Sequence, residues 1–157
     1  MSVERAEKVV SGIAHDVQSI GILTPMNPQA KQFPSNQNNL FVSQFLDLVR
    51  SRGLDPIEIK GKFGGNEERS FLIKNISKKQ TIELGRMYDQ QSVIWAKKVD
   101  DYNRPHFHYE YIENGKTVST SKNLDFGPDA QHRDDNFSQI KNKKFVIPFF
   151  DPKSEKH

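Results

Sequence analysis

The stretch "RSFLIKNISKKQTIELGRMYDQQSVIWAKK", Arg69 to Lys98, changes its pattern twice and decides the fold class. In "RSFLIKNI" Phe71 and Ile73 fall on one side of an alternating run, which is the period of a strand. Ser77 is followed three residues later by Gln80, a capping box, so a helix starts there and runs to about Asp89. "SVIWAKK" then carries an unbroken Val93, Ile94, Trp95, Ala96 run, the pattern of a strand covered on both faces.

Working upstream, "DPIEIKGKF" alternates Ile57 and Ile59 with Glu58 and Lys60 and reads as a strand that turns at Gly64 and Gly65. From Asn39 to Arg52 a helix is predicted, with Phe41, Phe45, Leu48 and Val49 on one face, Val42 and Leu46 beside them, and Gly53 at its end. "QAKQFPSNQNN" before it is a loop. Ile20, Ile22, Leu23 and Thr24 form a short strand that stops at Pro25, because proline lacks a ladder donor. Residues 2 to 18 space Val3, Ala6, Val9, Val10, Ile13, Ala14 and Val17 by three and four, one apolar stripe on a helix with Ser2 as its cap.

Downstream, "PHFHYEYI" alternates, "ENGK" carries the Asn-Gly hairpin turn, and "TVSTS" is the return strand. A long polar segment without periodicity follows, then the apolar run "FVIPFF", which Pro148 confines to an edge, and a tail, "DPKSEKH", expected to be disordered. The order α, β, α, β, β, α, β predicts one α+β domain over 1–150, a small mixed sheet flanked by three helices. Residues 19–97 form its core, a β-hairpin and an extended polar arm over 99–150 are additions, and 151–157 are the tail.

Composition narrows the function classes. The 157 residues hold no cysteine, which excludes a disulfide framework, a thiolate metal site and a cysteine nucleophile. No run of 18 apolar residues is present and the first twenty residues are unlike a signal peptide, so a soluble, cytoplasmic protein with no membrane association is expected. The net charge of +3 is spread evenly, with 12 basic and 10 acidic residues up to position 96 and 11 and 10 beyond it. The clusters Lys78-Lys79 and Lys141, Lys143, Lys144 are too short to neutralise many phosphates, which argues against a nucleic-acid partner.

"LTPMNP", "ERSFLI" and "LGRMYDQQSVIWA" resemble three motifs of a bacterial and phage domain family of unknown function: Thr-Ala-x-Asn-Pro, Glu-x-Ser-Phe-Leu-Val and Leu-Gly-x-x-Phe-x-Gln, in that order, over about residues 19–97. The resemblance carries no established activity. It singles out Thr24, Asn27, Pro28 and Asn39, then Glu68, Ser70 and Phe71, then Leu84, Gly85, Tyr88 in place of Phe, and Gln90 or Gln91. Pro25 and Met26 depart from the pattern.

These residues give the first candidate site. Asn27 is either turn chemistry, since asparagine bonds its own backbone, or an amide presented at a strand end, where α/β binding sites often lie. Thr24, Asn27, Asn39, Glu68, Ser70 and Gln90 together would line a cleft for a small polar ligand, a nucleotide or an amide-bearing metabolite, in a soluble accessory protein that binds such a ligand or a protein partner; a homo-oligomer is left open. Glu68 is the first candidate for a catalytic carboxylate, although no nucleophile, zinc-protease or phosphate-loop motif is present.

A second candidate is the hairpin. On one face of the strand stand His106, His108 and Glu110, and on the other Phe107, Tyr109 and Tyr111, because side chains alternate. The aromatic face is the core face. The polar face can be a solvated hairpin surface, the favoured reading, with no cofactor; the alternative is a divalent metal ion held by two imidazoles and a carboxylate, making a metal-dependent enzyme. His106, His108 and Glu113, with His132 and Asn136, also resemble part of the cupin metal motif. The glycines that motif requires are replaced by Asp100 and Thr120.

Overall fold

The computed structural model describes residues 16–28, 31–63, 66–101, 104–121, 137–140 and 143–145. In chain order they form β1 (Ser19–Leu23), α1 (Ser35–Ser51), β2 (Asp55–Phe63), β3 (Asn66–Lys74), α2 (Lys78–Met87), β4 (Ser92–Asp101), β5 (Arg104–Glu113), β6 (Lys116–Ser121), β7 (Phe137–Ile140) and β8 (Lys143–Phe145). The α+β class is as expected. The sheet runs β6-β5-β4-β1-β3-β2-β7-β8, and every described pair is antiparallel.

The mixed sheet expected from the element order is therefore corrected. Each helix does return the chain in the starting direction, but each crossover skips a strand: β3 lies between β1 and β2, and β1 lies between β3 and β4. Two interlocked split βαβ units result, the ferredoxin-like arrangement, in which strands of like direction are never neighbours. The sheet is also larger than expected. The β5–β6 hairpin extends it beyond β4, and residues 137–140 and 143–145 of the expected polar arm contribute a short strand pair beyond β2, with β7 opposite Lys60 to Lys62.

The expected amino-terminal helix over 2–18 lies outside the described residues except for its last three. Those are not helical. Asn75, at φ 57°, accepts from the Gln18 amide (2.8 Å) and donates to the Asp16 carbonyl (2.9 Å), so the chain enters β1 already tied to the β3 end. Two helices are described. The Gly64-Gly65 turn, most of the "FVIPFF" run and the tail also lie outside the described residues.

Helix α1 begins at Ser35, four residues before the predicted Asn39, with Pro34 at its N-cap. Its first turn is polar and mostly exposed, so no apolar period marks it in the sequence. Starting there shifts the buried stripe to Asn38, Val42, Phe45 and Val49, while Phe41 sits at the edge, against Phe33. Gly53 ends the helix as predicted: its amide bonds the Arg50 carbonyl and that of Leu54 bonds Val49, a Schellman pair. Helix α2 has its predicted capping box, with Ser77 and Gln80 bonding each other's backbone amides.

Both helices pack on one face of the sheet. Val42, Phe45 and Val49 of α1 and Leu84 of α2 meet Leu23, Phe71, Ile73, Val93 and Ile112. Phe45 is the centre, 5.3 Å from the Phe71 ring and 5.5 Å from Tyr88, and such aromatic pairs add about 0.5–1.5 kcal/mol each to their burial. The opposite face is equally buried, through Ile20, Ile22, Ile57, Leu72, Ile94 and the aromatics Phe107 and Tyr109. Burial on both faces is what the Val93 to Ala96 run predicts. No described helix is long and apolar enough to cross a membrane.

Candidate functional site

At the end of β1 the loop closes on itself. Thr24 donates its hydroxyl to the Arg69 carbonyl (2.9 Å) and accepts from the Met26 amide (3.0 Å). Asn27 adopts φ 51°, a left-handed conformation that asparagine tolerates. Its side-chain oxygen accepts from the Phe33 amide and from Asn38 Nδ2, both at 2.9 Å, while its own amide donates to Asn38 Oδ1 at 3.0 Å. The two buried asparagines thus form a reciprocal amide lock that ties the end of β1 to Phe33 and to the first turn of α1. Gln90 completes it, donating Nε2 to the Met26 carbonyl (2.8 Å) and to that of Tyr88 (3.2 Å).

Thr24, Asn27 and Gln90 are therefore brought together, as the sequence reading proposed, but their polar groups hold the loop. Asn39 is not part of the group: it is exposed on α1, and the neighbouring Asn38 takes its place on the buried stripe. Ser70 is fully buried on β3, in line with Leu72 on the face away from the helices, and its hydroxyl has no hydrogen-bond partner among the described residues. Glu68 stands opposite Gly61 in the β2–β3 ladder; its side chain lies outside the described part. Gly85 of the third motif is a packing residue. A Cβ there would lie 2.7 Å from Val93 Cγ1, so only glycine lets α2 approach β4 this closely.

A concave site does exist beside Gln90. Helix α2 ends in a second Schellman pair, with the Gln90 amide on the Gly85 carbonyl (2.8 Å), that of Asp89 on Arg86 (3.2 Å), and Asp89 at φ 50° where glycine is usual. The antiparallel β4–β5 ladder pairs Ser92 with Glu113, which carries the Asn114-Gly115 turn back to this helix end. Asn114 donates its amide to the Gln91 carbonyl (3.0 Å). Arg86 lies across the turn, its Nη2 2.5 Å from where a Gly115 Cβ would stand. Between these parts is a cleft of about 480 Å³, with Ile82, Val93 and Ile112 as its apolar lining and Arg86, Asp89, Gln90, Gln91 and Asn114 as its polar lining. The side chains of Arg86, Asp89, Gln91 and Asn114 make no hydrogen bond or ion pair among the described residues.

Of the sequence candidates Gln90 and Gln91 reach this cleft, with Gly85 of the third motif beside them. Arg86, Asp89 and Asn114 were missed, although a signal for Asn114 exists: it begins the Asn-Gly turn read from the sequence, and the β4–β5 ladder brings that turn back beside Gln91.

The hairpin face is laid out as its alternation predicts. Phe107 and Tyr109 enter the core, and burial pushes the Tyr109 hydroxyl well above the usual tyrosine range. On the other side the rings of His106 and His108 lie 5.1 Å apart, and both are half-buried. Glu110 does not join them as a metal triad. Its carboxylate accepts from Lys78 Nζ (2.8 Å) and Thr117 Oγ1 (2.7 Å). Burial would raise the Glu110 carboxyl, but those two hydrogen bonds and the Lys78 charge outweigh it and hold it below the usual range. Among the described residues no group of three or more His, Asp or Glu side chains is arranged to hold a metal ion. His132 and Asn136 lie outside the described residues.

Residues 23–93 match a family described as "Protein of unknown function (DUF3293)". No curated protein matches the chain. The matched span covers β2, β3 and both described helices, with only the last residue of β1 and the first two of β4; the Asn114-Gly115 wall of the cleft lies beyond it.

Proposed function

We propose that the protein binds a small polar, amide-bearing ligand in the cleft between the end of α2 and the Asn114-Gly115 turn. One observation carries this reading: the rim groups Arg86, Asp89, Gln91 and Asn114 surround an apolar floor with none of their side chains engaged among the described residues. A pocket with an apolar body and a few convergent polar groups is the usual form of a ligand site. The Gln91 and Asn114 amides offer donors and acceptors in equal measure, which suits the amide groups of a ligand. Gln90 links this site to the loop lock behind it, so the matched core supplies a rigid wall.

The test is thermal unfolding against L-glutamine, L-asparagine and a nucleotide panel. A ligand at ~100 times its Kd stabilises by about 2.7 kcal/mol, which raises Tm by roughly 5–10 °C in a chain of this size. Gln91→Ala is expected to remove that shift without lowering the Tm of the free protein. A shift that survives Gln91→Ala contradicts the reading, and so does a protein that responds neither to the panel nor to a peptide laid in the same cleft.

A further inference from the structure

On the far side of Arg86 the surface dips again, into a hollow of about 820 Å³ lined by Lys78, Lys79, Ile82, Glu83 and Met87. Ile82, Arg86 and Gly115 border both hollows, so the two run together as one groove along α2. Met87 is 51% exposed at its edge, a large apolar side chain left in water. Two carboxylates beside the hollow are already neutralised, Glu83 by Arg52 at 3.0 Å and Glu110 by Lys78 at 2.8 Å, while Asp89, in the first cleft, has no such partner among the described residues. Lys79 and Arg86 have no such partner among the described residues. At its Met87 end the groove thus joins an apolar hollow to the positive charge of Lys79 and Arg86, and the Asp89 carboxylate lies in the cleft at the other end.

Its length is also informative. The ten residues of α2 span about 15 Å, and an extended chain rises about 3.3 Å per residue, so four or five extended residues fit along it. We infer that the ligand is an acidic peptide segment of a protein partner, lying extended along α2. An Asp or Glu side chain of the peptide meets the Arg86 guanidinium, the geometry arginine is suited to. A neighbouring apolar side chain enters the hollow against Ile82 and Met87, and the peptide's backbone amides meet Gln91 and Asn114 in the first cleft. The inference rests on that cleft being the binding site.

Fluorescence anisotropy of the full chain tests it with two labelled hexapeptides, one alternating Asp with Leu and one alternating Lys with Leu. The acidic peptide is expected to bind and the basic one not. Arg86→Glu should weaken the acidic peptide at least tenfold, and Lys79→Glu should weaken it less, with both variants keeping the wild-type Tm because each residue is exposed. Equal binding of the two peptides, or acidic binding unchanged by Arg86→Glu, overturns the inference. If L-glutamine raises the Tm while the acidic peptide fails to bind, the peptide inference falls and the cleft reading stands. If neither binds, both fall.

Discussion

Asn27 and Asn38 show how little of a residue's role its type decides. Either could present an amide to a ligand; instead each satisfies the other in a buried site where an unpaired polar group costs about 1–3 kcal/mol. Asn27→Ala and Asn38→Ala are each expected to destabilise by about that amount in urea unfolding. The double variant should lose less than the sum, by at least ~0.5 kcal/mol, because the second change removes an already orphaned group. Strictly additive losses contradict the lock. The turn at Asn27-Pro28 was legible in the sequence, whereas the choice of partner within "SNQNN" was not, since it depends on the helix starting at Ser35. With that start, Asn38 opens the buried stripe, and Val42, Phe45 and Val49 follow it at successive spacings of four, three and four.

Helix α2 was the most legible element, because its capping box and periodicity agree, yet its third motif is explained by a contact between elements that no local pattern contains. Gly85→Ala should destabilise by about 1–3 kcal/mol through the clash with Val93, despite alanine's better helix propensity. Val93→Ala in the same chain should recover part of that loss in urea unfolding; no recovery would mean the glycine serves another purpose. The helix is also joined to the hairpin by charge. Because the folded Glu110 carboxyl lies below its ordinary value of 4.5, its contribution to stability is full above that pH and is lost as pH falls through the lower folded value. Glu110→Gln should therefore flatten the dependence of the urea midpoint on pH below 4.5 and leave the slope near neutrality unchanged. An unchanged acid slope would show that the Lys78 pair contributes nothing.

For the whole molecule, element order alone allowed parallel neighbours, and only the long-range pairing of β1 with both β3 and β4 excludes them. The same pairing explains where the motifs lead. Leu84, Gly85, Tyr88, Gln90, Asn27 and Thr24 hold the two helices and the β1 loop onto the sheet, while open polar groups gather where the β5–β6 hairpin meets the end of α2. Backbone amide NMR of the full chain during titration with the acidic hexapeptide, and separately with L-glutamine, separates these two locations most directly. The cleft account predicts shifts concentrated at residues 79–93 and 112–116. Shifts concentrated at 24–39 and 68–71 instead, with 112–116 unmoved, would place the site among the motif residues and contradict it.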